Sequence, residues 1–192
     1  MTKEKFLIFI CGLPATGKTT LATKLAKPLG YKLISQSEIR RRMGMRRMPK
    51  TQEAVLRKID FLAAKYLRAG YGVIFESVNR YNFRRHQIYG VASGCGRRII
   101  VLEIVCSEET AKKRMRARPA GDGFLSDPNN PAIYDKLKML WEEIKGDFKH
   151  PGQDHVAYAR FNSESKKFET IIPRLGTGEI IRRLKKILKE KE

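Results

Sequence analysis

Apolar strand-like runs alternating with helix-patterned stretches predict an α/β protein built on a parallel sheet covered by helices on both faces. Three observations carry this expectation. The runs "FLIFIC", "VIFE" and "RIIVLEIVC" are almost continuously apolar, as strands buried on both faces require. The stretches between them place apolar residues at helical spacing. The first run also feeds a glycine-rich turn that opens a helix, a strand–turn–helix unit.

In chain order, "KFLIFICG" reads as a buried strand and "KTTLATKLAKPLG" as a helix closed near Gly30. "YKLISQ" fits a second strand. "TQEAVLRKIDFLAAKYLRAG" sets Val55, Ile59, Leu62, Ala63, Tyr66 and Leu67 on one helical face, with Thr51 as N-cap and Gly70 as stop. "YGVIFES" is a third strand, the stretch from Arg84 to Val91 is helical, and "RIIVLEIVC" is a fourth strand. A helix opens at Ser107, with Glu108 and Glu109 where carboxylates suit the helix dipole. "ARPAGDGFLSDPNN" is a loop by composition, and "NPAIYDKLKMLWEEIK" a helix with Asn130 as cap and Pro131 in its first position. A weaker strand near "VAYARF" and a helix from about Thr177 close the chain. That last helix carries Ile180, Leu184, Ile187 and Leu188 on one face, which favours docking onto the fold over binding a membrane.

The 192 residues suit one packed domain, and no repeat or low-complexity linker divides them. The longest apolar run is too short to span a bilayer, and no small-residue cleavage pattern follows it, so neither a membrane segment nor a secretory signal is expected. Cys11, Cys95 and Cys106 have no paired spacing and form no ligand set with His86, His150 or His155. Free thiols in a cytoplasmic protein are expected, with no zinc site. The net charge is +20, and the stretch from Tyr31 to Arg118 holds 21 basic against 7 acidic residues. Such a field concentrates anions, whether nucleotides, phosphate esters or nucleic acid.

"GLPATGKT", Gly12 to Thr19, matches the pattern G-x-x-x-x-G-K-[ST]. With glycine at roughly 7% of residues, a chance match is on the order of one in a hundred for a chain this long. The strand before it and the helix after it supply the context the motif needs. Gly12 and Gly17 let backbone N–H groups turn toward phosphate oxygens. Lys18 would reach the outer phosphates, and the Thr19 hydroxyl would serve Mg²⁺. The residues expected to hold a nucleotide are therefore Gly12, Leu13, Pro14, Ala15, Thr16, Gly17, Lys18, Thr19 and Thr20.

Together with "SEIR", "VIFESVN", "RMRARP" and "FLSDPNNPAIYDKLK", this loop makes the chain resemble the adenylate-kinase-like P-loop kinases. Within them it is most similar to the group of zeta toxin, chloramphenicol phosphotransferase and polynucleotide 5′-kinase, many of whose members are known only as predicted kinases. The pattern runs from Phe6 to Trp141. Only the phosphate loop is specific; the other motifs persuade through their order. The resemblance implies a three-layer P-loop NTPase fold with a five-stranded parallel sheet and a mobile lid at about residues 119–130. It also implies ATP with Mg²⁺ and transfer of the γ-phosphoryl group to an acceptor hydroxyl.

Under that resemblance, Glu76 at the end of "VIFES" replaces the usual Walker-B-like aspartate and serves Mg²⁺ or the acceptor proton. Asn79 would orient the acceptor. Arg114 and Arg118, four apart on one helical face, would be lid arginines closing on phosphate. Relatives carry an aspartate three residues before the position of Arg40, whereas this chain has Ser37 there. Glu38 is the next residue, roughly 100° around a helix. Several readings follow: Glu38 swings in, Glu76 serves metal and base alike, no strong base is needed, or activity is weakened; Ser37 itself could be a helix N-cap.

The arginines from Arg40 to Arg47 suit a phosphate-bearing partner, with Ser37, Arg40, Asn79 and Arg84 as acceptor-side candidates. No aromatic residue lies between Ser35 and Lys50 to stack a base, although Tyr81 and Phe83, beside Arg80, Arg84 and Arg85, keep that option open. The expected function is ATP-dependent phosphoryl transfer to an anionic small molecule, a nucleotide or a polynucleotide 5′ end. Two alternatives stand beside it: a nucleic-acid-binding NTPase, and a nucleotide-binding regulatory protein with weakened catalysis. The acceptor and the oligomeric state are not legible in the sequence.

Overall fold

A computed structural model describes residues 4–46, 48–119, 128–149 and 154–190. Its strands are β1 (Leu7–Cys11), β2 (Lys32–Ser35), β3 (Val73–Glu76), β4 (Ile99–Val105), β5 (Val156–Asn162) and β6 (Phe168–Ile172). Its helices are α1 (Lys18–Leu29), α2 (Gln36–Arg42), α3 (Pro49–Arg68), α4 (Asn82–Ser93), α5 (Glu108–Arg116), α6 (Ala132–Met139) and α7 (Gly178–Lys189). A 3₁₀ helix covers Ile144–Lys149.

The strands form one sheet in the order β2-β3-β1-β4-β5-β6. The first five run parallel, as expected, while β6 pairs antiparallel with β5 and adds an edge the sequence pattern did not announce. In β6 only Phe168 is buried, so "FETII" lacks the apolar continuity that marks the inner strands.

β1 explains why the sheet is covered on both faces. Its alternate residues Ile8 and Ile10 join the core beneath α1 and α7, while Leu7, Phe9 and Cys11 join the core beneath α3 and α4. Phe9 and Phe75 are register partners on β1 and β3, and their rings stack at 5.3 Å. α7 buries Ile180, Leu184 and Leu188 in the α1-side core, so the C-terminal basic helix docks as predicted. Each such side chain contributes about 1.5–3 kcal/mol relative to exposure.

Two local expectations need correction. α3 begins at Pro49, so Thr51 lies inside its first turn, where its hydroxyl oxygen accepts from the Met48 N–H at 3.3 Å. α6 stops at Met139, well short of Lys145: apolar spacing runs on through Trp141 and Ile144, but Trp141 lies between the two helices and Ile144 opens the 3₁₀ segment, which packs on α4. Residues 120–127, the centre of the expected lid loop, lie outside the described residues.

β1 has β3 on one side and β4 on the other, and the chain leaves β1 for β2 on the first side but leaves β3 for β4 on the second. The crevice at the carboxyl ends of such strands is where open α/β sheets bind ligands. The loop 12–17 follows β1 directly into that crevice.

Candidate functional site

Gly12 sits at φ 143°, and a Cβ there would meet the Ile104 carbonyl oxygen at 2.3 Å. Only glycine therefore lets the loop pass so close to β4. Gly17, at φ 98°, turns the chain into α1 with no side chain capping that helix start. The first N–H groups of α1 thus remain available to an anion. Ala15 also takes a left-handed conformation, at φ 59°, a strained state for a residue with a Cβ.

The Leu13 carbonyl oxygen braces this loop by accepting from Thr16 Oγ1 at 3.0 Å and from Lys18 Nζ at 2.7 Å. Burial pulls the Lys18 ammonium down to a pKa of about 8, and nearby Arg118 adds to the effect while Glu76 opposes it. Thr19 and Thr20 are exposed on the first turn of α1, and Leu13 and Pro14 are half-buried on the loop.

α5 brings further positive charge to the same place. Ser107 caps the helix by accepting from the Thr110 N–H at 3.2 Å, and Glu164, beyond β5, accepts from the Ser107 N–H at 3.0 Å. With its start tied down, α5 delivers Arg114 to the loop, where Nη1 donates to the Ala15 carbonyl at 3.3 Å and to Ser163 Oγ at 3.1 Å. Burial and then Arg114 hold the Arg118 guanidinium below its ordinary range. Lys18, Arg114 and Arg118 therefore act on one another as mutually repelling cations, an arrangement suited to a polyanionic ligand.

Glu76 closes the other side. It ends β3, is buried, and is the register partner of Ile10 on β1 and Ser35 on β2. Ser35 Oγ donates to Glu76 Oε1 at 2.5 Å. Ser35, not Ser37, is the N-cap of α2; Ser37 is the second residue of the helix, with its hydroxyl 2.9 Å from Ser35 Oγ. The hydroxyl that stops β2 and starts α2 is thus also the one that orients Glu76.

Several acceptor-side candidates sit elsewhere. Glu38 turns outward to Arg42 at 2.8 Å and Arg41 at 3.3 Å, so the structure does not bring it to Glu76. Arg40 is buried and spans from α2 to Thr51 and Gln52 of α3, which makes it a structural tie between helices. Arg84 bonds Gln87 at 2.9 Å and rests on the Phe83 ring, away from the loop 12–17. Asn79 stays near the β3 end, at φ 37°, where its Oδ1 accepts from buried Ser77 Oγ at 3.0 Å.

Two buried groups escaped the sequence reading. Arg85 and Asp147 form a fully buried bidentate pair with both bonds at 2.6 Å, and Tyr89 adds a third bond to the carboxylate at 2.8 Å. Arg85 also donates to the Asn79 and Arg80 carbonyls, which fixes the chain leaving β3. Their partnership crosses 62 residues, a separation no local pattern reports. The second group is Glu103, whose Oε2 accepts from Tyr158 Oη at 2.5 Å and Arg160 Nε at 2.7 Å. A lone carboxylate inside "IIVLEIV" was a visible signal of that one. Burial and then Glu103 raise the Tyr158 phenol well above its ordinary range, so it remains a proton donor.

A mostly parallel sheet with a phosphate loop after its central strand defines a kinase-like P-loop NTPase fold. Residues 7–133 match the family model described as AAA domain, and the chain belongs to that family. Among solved structures it is similar to a kinase-like protein from Chloroflexus aurantiacus, at 21% identity and TM-score 0.65 over 96% of this chain and 99% of that one. It is also similar to a gluconokinase from Sinorhizobium meliloti, at 17% identity and TM-score 0.58 over 97% and 93% of the two chains. Chaetomium thermophilum Kti12 in complex with ADP-AlF3 matches at 20% identity and TM-score 0.58 over 94% and 95%. These likenesses concern the fold. No curated protein matches the chain. Among the described residues no helix is long and apolar enough to cross a membrane.

Proposed function

We propose that this chain is an ATP-dependent phosphotransferase that moves the γ-phosphoryl group to a hydroxyl of a separate acceptor. The observation that carries the reading is the placement of Lys18, Arg114 and Arg118 around a phosphate loop, with buried Glu76 at the neighbouring strand end. The loop N–H groups and Lys18 bind the phosphates, and the two arginines stabilise charge on the group in transit. Glu76, held by Ser35, takes the acceptor proton or orients the acceptor hydroxyl as the new P–O bond forms and the bond to the ADP oxygen breaks.

The residues fit Mg²⁺. Glu76 Oε2 has no hydrogen-bond partner among the described residues, and Thr19 offers an exposed hydroxyl beside Lys18. Among the described residues no three metal-ligating side chains cluster, which suits an ion held by one or two side chains plus phosphates and water. Bound there, Mg²⁺ would neutralise charge on the phosphate oxygens. The finer kinship with zeta toxin, chloramphenicol phosphotransferase and polynucleotide 5′-kinase belongs to this proposal and rests on the sequence motifs.

Transfer of labelled γ-phosphate across nucleosides, 5′-hydroxyl oligonucleotides, sugars and amino sugars tests the reading. Acceptor-dependent label incorporation that disappears in Lys18→Ala supports it; tight ATP binding with no transfer to any acceptor counts against it. That second result would favour a nucleotide-binding regulatory protein, a reading motivated by Glu38 facing Arg41 and Arg42 and not the acceptor side.

A further inference from the structure

Beside the phosphate loop, on the α4 side of the sheet, lies a cavity of about 440 Å³ bounded by Leu13 and Thr16 of the loop and by the ends of β4 and β5. Its floor is Glu103, and the Trp141–Lys145 segment forms its outer wall. We infer that this cavity seats the body of the acceptor, with the reacting hydroxyl extending past Leu13 and Thr16 toward the phosphate loop and Glu76, and that the acceptor is a neutral polyhydroxylated small molecule of sugar or cyclitol size. The inference rests on the phosphotransferase reading above and names its substrate class.

Four features lead there. The volume falls within the range of about 300–1,000 Å³ typical of small-molecule sites and excludes a duplex or folded partner. Glu103 is 6% exposed, and both of its protein bonds fall on Oε2. Glu103 lines the cavity, and its Oε1 has no partner among the described residues. That oxygen is left to accept from a ligand hydroxyl. Tyr134, Trp141 and Tyr158 add aromatic surface, which suits the apolar C–H faces of a sugar or cyclitol ring.

Charge argues for a neutral ligand. The cavity's cations are largely engaged already: Arg160 holds Glu103 at 2.7 Å, and Lys138 holds Glu108 at 2.7 Å. Lys145 lies on the exposed outer wall, where Glu143 also lines the space. An anionic group placed at the floor would face Glu103 directly. The reading thus departs from the anionic acceptor that net charge suggested; the free cations serve the nucleotide phosphates instead.

The test is binding of D-ribose, D-glucose, N-acetyl-D-glucosamine and myo-inositol, followed by saturation-transfer NMR on the full chain saturated with Mg²⁺ and a non-hydrolysable ATP analogue. At least one of these probes binds the parent, and Glu103→Gln weakens it by about tenfold to a hundredfold while analogue affinity stays unchanged. If Glu103→Gln does not fold, Trp141→Leu carries the same comparison, since it keeps apolar volume and removes the flat aromatic face. A parent that binds the analogue but none of the probes overturns the inference and leaves the kinase reading standing. So does probe binding that is equal in the folded variants. A parent that fails to bind the analogue removes the kinase reading and this inference with it.

Discussion

Ser35 and Glu76 end adjacent parallel strands in register, and the serine hydroxyl donates to Glu76 Oε1 while also capping α2. One carboxylate oxygen is thereby fixed and the other left for the site. Glu76→Gln should lower turnover by about a hundredfold or more with nucleotide affinity nearly unchanged, because the amide neither takes a proton nor attracts a cation. Ser35→Ala should have a smaller effect on turnover, about tenfold, and should also lower the melting temperature through the lost cap. Steady-state rates beside calorimetric nucleotide affinities check both; a parent-like kcat in Glu76→Gln would place the carboxylate outside the reaction.

The same pair shows what the sequence could and could not reveal. Strands buried on both faces wrote themselves as apolar runs, and the glycine loop announced a phosphate site, because both depend on neighbours in the chain. The sequence alone does not distinguish Ser35 from Ser37 as the N-cap, because the cap depends on where β2 stops, a boundary set by its pairing with β3. Glu38 looked available in sequence, yet i,i+3 and i,i+4 contacts with Arg41 and Arg42 hold it on the outer face. Arg40 belonged to a run of arginines that reads as a single basic patch, and only the packing of α2 on α3 separates it as a buried tie. Tyr158 and Arg160 could be assigned to Glu103 only once β4 and β5 were aligned.

Arg114 connects the loop to the end of β5 through Ala15 and Ser163. Arg114→Ala should reduce phosphoryl transfer by about a hundredfold, with a smaller loss of nucleotide affinity, since charge on the moving group grows in the transition state. Arg114→Lys should recover little of it. A lysine carries the charge but not the planar fork that can brace the loop and still offer N–H groups to phosphate. Single-turnover measurements separate the two effects; full activity in Arg114→Lys would assign the arginine to loop bracing alone.

The Arg85–Asp147 pair makes a stability prediction independent of catalysis. Asp147→Ala leaves a guanidinium buried without its carboxylate and should destabilise the fold by about 3–5 kcal/mol. Arg85 also holds the Asn79 and Arg80 carbonyls, and Glu142 accepts from the Asn82 N–H at 2.6 Å, so the damage should reach the chain leaving β3. Urea unfolding measures the loss. Amide exchange should quicken in α4 and the 3₁₀ segment before it does in β1 and β4, and uniform acceleration throughout would contradict a local anchoring role.

The depressed pKa of Lys18 gives two pH effects. Its ammonium titrates near 8 in the folded chain against an ordinary value of 10.5, chiefly through burial. Between those values the unfolded chain binds the extra proton, so this group makes stability rise with pH across that window. Nucleotide binding has the opposite sign. Phosphate oxygens favour the ammonium and raise its pKa, so the bound state holds the proton that the free state has begun to lose. Affinity for an ATP analogue should therefore fall as pH rises through about 8, with net proton uptake on binding. Calorimetry at about pH 8.5 in two buffers of different ionisation enthalpy measures that uptake directly. No uptake, together with constant affinity on both sides of pH 8, would mean that Lys18 does not meet the phosphates.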